Sequence, residues 1–212
     1  MHRFSSASRA WSRGAAALVA LVVAAAGPTA AHERTSLDGD DSRGPLDVVV
    51  ARIRHREIGV AGSHGGSSRS ATELRLRLVT YDKWGRKLLN GDRRFIAFEF
   101  DLDDDKRIER CLVVKNGEEE LTGRVYRGCY RRMEPAGRTS VSRPDRHSIH
   151  TTIDKRRLGR RVRTLEWRVT TSFEVAGAGE DGPCAATGGS PSDPYGTCRD
   201  STRWRPHRFR KR

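Results

Sequence analysis

Three stretches of strict two-residue alternation limit what this chain can fold into. "ELRLRLVTY" sets Leu74, Leu76 and Leu78 on one side and Arg75 and Arg77 on the other. "FIAFEFDL" aligns Ile96, Phe98, Phe100 and Leu102. "LEWRVTTSF" aligns Leu165, Trp167, Val169, Thr171 and Phe173 against Glu166, Arg168, Thr170 and Ser172. Side chains alternate between opposite faces along a strand, so each stretch reads as a strand with one face in a core and one toward water. That half-buried pattern belongs to antiparallel sheets. "LDVVVARIR" (46–54) is a further strand rich in β-branched residues, and weaker ones fall at 108–114, 121–130 and 148–153. Turn chemistry separates them: "AGSHGGSSRS", "KWGRKLLNGD", "DLDDDK", "KNGE" and "RPDRH". Only Asp154 to Leu158 hints at a helical turn. The expected fold is all-β, a single antiparallel β-sandwich of about seven to eight strands over residues 45–200, with a closed barrel as the alternative.

The first 31 residues read differently. Arg3, Arg9 and Arg13 precede an apolar run from Ala15 to Ala26, and small residues follow up to Ala31. This is the pattern of a secretory signal peptide, cleaved before His32 or, alternatively, after Ala26. The run is shorter than the roughly 20 residues a bilayer-spanning helix needs. A secreted or extracytoplasmic chain is therefore expected, with 181 residues after cleavage, a length suited to one domain with tails. Residues 32–44 are polar and read as a disordered leader. If cleavage frees His32, its amine and imidazole form a copper-binding pair that needs a second histidine. His55, His64, His147 and His150 are candidates without telling spacing, and a chance histidine is the plainer reading.

An exported chain permits disulfides among its four cysteines. Cys184 and Cys198 bracket a loop rich in Gly, Pro and Ser, which makes them a natural pair and leaves Cys111 with Cys129. Asn116-Gly117 as a two-residue hairpin turn would set Cys111 opposite Thr122, far from Cys129. Either that turn is not tight or the strand bends.

The formal charge of +14 falls to +11 once the signal is removed. Arginine grips carboxylate and phosphate through a planar fork, so an anionic polysaccharide or envelope polymer is the expected partner class; nucleic acid is not. The C-terminal residues 201–212 alternate base and aromatic. Their plainer reading is a solvated tail; their sharper one is an anchor to an anionic partner through Arg203, Trp204, Arg205, Arg208, Phe209, Arg210, Lys211 and Arg212. Recognised catalytic signatures are missing: no G-x-S-x-G, no H-E-x-x-H, no phosphate loop and no C-x-x-C.

The acidic turn is the remaining site. Asp101, Asp103 and Asp105 recur at every second residue, as oxygen ligands do at the start of calcium loops, and Glu109 takes the ninth position. Lys106 stands where a helical calcium loop needs Gly, and Leu112 where it needs a bidentate Glu, so that motif is excluded. A simpler Ca2+-binding loop at a strand end competes with a plain hairpin turn. In the hairpin, Leu102 pairs with Arg107, Glu99 faces Arg110, and Cys111 shares the face of Phe98.

The order of "VTYDKWGRKLLNGDRRFIAFEFDLDDDKRIERCLVV", "SRPDRHSIHTTIDKRRLG" and "LEWRVTTSF" resembles that of uncharacterised secreted β-sandwich proteins of high-GC bacteria. More remotely, it is similar to family 9 carbohydrate-binding and DOMON-like modules. The resemblance spans about Leu46 to Phe173 and implies calcium-assisted packing and sugar binding by paired Trp. Trp167 sits in an apolar stripe and reads as core. Trp84, beside Gly85 in a polar loop, is the candidate ligand-stacking residue. The expected function is a non-catalytic exported module binding anionic or carbohydrate-containing envelope material. The alternatives are a secreted hydrolase using the Asp101–Asp105 loop and a purely structural domain.

Overall fold

A computed structural model describes residues 33–38, 44–60, 69–130, 132–159, 161–174 and 197–209. Among them are eleven strands: β1 (Glu33–Leu37), β2 (Val48–Val60), β3 (Arg69–Thr80), β4 (Phe95–Asp101), β5 (Arg110–Asn116), β6 (Leu121–Arg127), β7 (Glu134–Ser142), β8 (Ser148–Asp154), β9 (Thr164–Glu174), β10 (Thr197–Ser201) and β11 (Arg205–Arg208). All pairings are antiparallel, in the order β1-β2-β3-β8-β7-β6-β5-β4-β9-β10, with β11 beside β10 on β9. The all-β antiparallel expectation holds, with more strands than the sequence suggested and one curled sheet in place of two separate ones.

The corner of that curl is β7. Its first part pairs with β6, and its last residues, Val141 and Ser142, pair with Thr151 and His150 of β8. A bulge between Val125 and Tyr126 of β6 shifts the register, with Gly137 opposite Val125 and Pro135 opposite Tyr126. Bulges bend a strand and sharpen its twist, which lets the sheet turn over. Gly137 has φ of 145°, a conformation that residues with a Cβ rarely adopt, so glycine is strongly favoured here.

The curled sheet wraps one core. Leu74, Leu76 and Leu78 from β3 meet Ile96, Phe98 and Phe100 from β4, Leu112 and Val114 from β5, and Trp167, Val169 and Phe173 from β9. The open side is tethered by polar contacts instead of a ladder. The Val48 amide donates to the Asp200 carboxylate of β10 at 2.8 Å, and Thr171 Oγ1 donates to the Leu46 carbonyl at 2.9 Å.

Four local expectations change. Residues 33–37, assigned to a disordered leader, form β1 on the edge of β2, where backbone pairing and a 2.6 Å contact from Arg54 to Glu33 hold a polar strand. Residues 205–208, assigned to a solvated tail, form β11 against Thr164 to Trp167. The Asp-rich hairpin is longer than expected: Phe100 pairs with Arg110 and Glu99 with Cys111. This one-residue slip puts Cys111 on the outer face with Ala97 and Val113, away from Phe98.

The Asn116-Gly117 turn is also not tight, since Asn116 pairs with Leu121 and Cys111 faces Tyr126. Cys129 can then reach Cys111, and the two are bridged with α-carbons 6.1 Å apart. Of the expected Cys184–Cys198 bridge, Cys184 lies outside the described residues; Cys198 is buried in β10. The signal segment also lies outside them.

Candidate functional site

The acidic turn is organised by Asp101. Its buried carboxylate accepts the amides of Asp103 at 3.2 Å, Asp104 at 2.7 Å and Lys106 at 2.8 Å. Asp104 and Lys106 have φ of 68° and 66°, conformations non-glycine residues adopt reluctantly. Glu109 accepts the Leu102 amide at 2.8 Å, and Asp105 accepts that of Arg107 at 2.8 Å. Burial, aided by the charges of Asp103 and Asp101, holds the Glu109 carboxyl above the usual range.

Carboxylate oxygens of Asp101, Asp103 and Glu109 come within 4.8 Å of one another, as do those of Asp101, Asp104 and Glu166. Asp105 belongs to neither group. The Lys106 ammonium bridges Asp104 at 2.7 Å and Glu166 at 2.5 Å, which raises its pKa and supplies the positive charge a cation would bring. A calcium ion wants six to eight oxygens. Here the carboxylates of Asp101 and Glu109 are occupied by backbone amides and those of Asp104 and Glu166 by a lysine, an arrangement that favours a self-sufficient turn.

Trp84 does not present a stacking face. It is 4% exposed, and the Arg143 guanidinium lies 4.1 Å from its ring centroid. The 3-10 turn at Arg86–Leu89 and a bond from the Trp84 amide to the Arg146 carbonyl at 3.0 Å fold the loop inward, so an indole expected at the surface joins the core.

The described tail residues differ in their surroundings. Arg203, Arg205 and Arg208 are exposed, Trp204 packs under Arg168 at 4.6 Å, and Phe209 is buried. Arg210, Lys211 and Arg212 lie outside the described residues, as do His32 and His64. His55 faces His207, while His147 and His150 sit at and within β8.

What the sequence did not reveal is an arginine-lined sheet face. On β2, Arg52, Arg54 and Arg56 point outward while Ala51, Ile53 and His55 are buried. In β3, Arg75 and Arg77 do the same against Leu74 and Leu76. Register sets Arg52 directly opposite Arg77 and Arg54 opposite Arg75. His150 of β8 stands across from Arg77, and burial, with Arg77 adding, pushes its imidazole pKa down.

Glu33 meets Arg54 at 2.6 Å and Arg52 at 3.4 Å, and Glu73 meets Arg75 at 3.5 Å. Five arginines thus share this face with three carboxylates, those of Glu33, Glu73 and Asp154, the last directly opposite Glu73. Between them runs an open groove of about 410 Å3 lined by Glu33, Arg52, Arg54, Arg75, Arg77 and His150. The signal was present as "RIRHR" and "LRLRL", but only the pairing of the two strands turns two stripes into one array.

On the other half of the sheet, Glu99 is buried on the outer face. It accepts from Arg168 at 2.6 Å and from the Tyr130 hydroxyl, whose pKa is raised by burial first and Glu99 second. Beside it, Phe95, Val113, Tyr126, Tyr130 and Met133 line a second, mainly apolar depression of about 590 Å3. No protein-family model, curated protein or solved structure matches this chain.

Proposed function

We propose that the protein is an exported, non-catalytic module that binds an anionic polysaccharide of the cell envelope along the β1-β2-β3-β8 face. The observation that carries this reading is the cross-strand pairing of Arg52 with Arg77 and Arg54 with Arg75. Like charges directly opposite each other weaken a sheet by several tenths of a kcal/mol. A face needing only solubility would alternate signs. This one concentrates guanidinium groups, whose planar donors match carboxylates.

Strands lie about 4.8 Å apart and same-face residues about 6.8 Å apart along a strand. The four arginines therefore form a small two-dimensional array, suited to a linear polymer with repeating charge. A polymer engaging several sites gains avidity beyond any single contact. Export is supported by the Cys111–Cys129 bridge, which oxidising compartments favour. Among the described residues no helix is long and apolar enough to cross a membrane.

The test is retention on immobilised polygalacturonate, followed through a salt series. We expect retention that falls steeply between about 50 and 200 mM salt, because ion-pair attraction is screened over roughly 10 Å. Neutral dextran should not retain the protein, and single-stranded DNA should compete weakly. Equal retention on dextran, or stronger competition by DNA, would remove acidic polysaccharide as the ligand.

A further inference from the structure

His55 of β2 and His207 of β11 are separated by 152 residues in sequence, yet His55 Nδ1 lies 3.1 Å from His207 Nε2. Both side chains are buried, and their rings meet edge to face at an interplanar angle of 81°. Phe209 packs on both, with ring centroids 5.5 Å from His55 and 5.2 Å from His207, and the Lys155 ammonium lies over the Phe209 ring at 4.3 Å. Two apolar side chains would fill this space without the cost of desolvating imidazoles. Their contact brings two metal-ligating nitrogens together at one buried point.

The nitrogen separation suits metal coordination. Imidazole–metal bonds are about 2.0–2.1 Å. Two such bonds to nitrogens 3.1 Å apart enclose an angle of about 95–100° at the metal, between the cis angle of a square-planar site and the tetrahedral angle. We propose that His55 Nδ1 and His207 Nε2 are two ligands of a transition-metal site, with copper(II) bound more tightly than zinc(II). The ion replaces the N–H···N hydrogen bond between the rings, and each imidazole then carries its proton on its other nitrogen. Imidazole donors suit both ions, and copper(II) stands above zinc(II) in the affinity order of divalent metals. Two protein nitrogens leave further coordination positions for water or another donor.

The experiment titrates the exported, naturally processed chain with copper(II) alone and zinc(II) alone, read by calorimetry and, for copper, by electron paramagnetic resonance. One equivalent should bind, with hyperfine splitting from imidazole nitrogen. His55→Gln and His207→Gln should each weaken copper binding by more than the roughly 10–100-fold that losing an outer-sphere partner costs. His147→Gln with His150→Gln should leave it unchanged. Copper binding to the His55 and His207 variants at wild-type affinity would overturn the assignment. Should those variants fail to fold, nitrogen-15 spectra of the unaltered chain decide. Zinc must shift the His55 Nδ1 and His207 Nε2 resonances, and unmoved resonances at saturating zinc would refute the site.

Discussion

Asp101→Ala should lower the unfolding free energy by about 2–4 kcal/mol, measured by urea denaturation. The substitution removes the acceptor for the amides of Asp103, Asp104 and Lys106 at once. A buried donor left without a partner costs about 1–3 kcal/mol. The turn is partly open to water, which keeps the total below three full penalties. The same carboxylate holds Asp104 and Lys106 at positive φ, a conformation costing roughly 1–3 kcal/mol per residue unless the surroundings impose it. Asp101→Asn keeps one acceptor oxygen and should cost about half as much. Asp103→Ala should be nearly silent, since it is the Asp103 amide that serves the turn. A loss for Asp101→Ala below about 0.5 kcal/mol would mean the amides find other partners. A calcium-induced rise of the wild-type midpoint that vanishes in Asp103→Ala would return the turn to the metal-binding reading.

Ending the chain at Thr202 should destabilise it by about 3–5 kcal/mol, seen as a lower thermal midpoint and a smaller folded population at 37 °C. The deletion strips β11 from Trp167, Glu166, Leu165 and Thr164, and takes away the buried His207 and Phe209. Burying one Phe side chain stabilises by about 1.5–3 kcal/mol, and the cavity left behind adds to the loss. Phe209→Ala alone should account for the larger part. A solvated tail would give no change in midpoint on deletion, and that result would contradict the docked strand.

The same residues show why parts of the fold were legible and others not. β3, β4 and β9 combine alternation with large apolar side chains on a single face, and Leu76, Phe98 and Trp167 lie where the alternation put them. β1 and β11 carry no such signal because they are short strands held by backbone pairing on neighbours, so "ERTSL" and "RPHR" read as polar tails. β7 was missed for a related reason. As the corner strand it is at most half-buried along its length, and its sequence shows no apolar stripe.

At the Asp-rich hairpin the strands were recognised but the register was not. The loop length depends on three amides converging on Asp101, a side-chain effect that turn propensities do not encode. The slip of one residue then moved Cys111 to the other face. Trp84 was misplaced because a polar neighbourhood in sequence hid its packing beneath Arg143. The arginine array fell between levels: each stripe was readable, but the Arg52–Arg77 and Arg54–Arg75 juxtapositions arise from pairing across residues 61–68, where nothing in the sequence sets the strand offset.

If these arginines are kept for binding at some cost to the sheet, a double substitution separates the two contributions. In Arg52→Thr with Arg77→Thr, a β-branched pair replaces two opposed cations on an outer face, so the thermal midpoint should hold or rise by a few degrees. Affinity for polygalacturonate should fall about tenfold or more for each charge-assisted hydrogen bond removed, at roughly 1.5–3 kcal/mol apiece. Midpoint and affinity are to be measured on the same preparation. A maintained midpoint with binding weakened about tenfold or more is the predicted result; unchanged binding, or binding that weakens only in step with a collapsed midpoint, would contradict it.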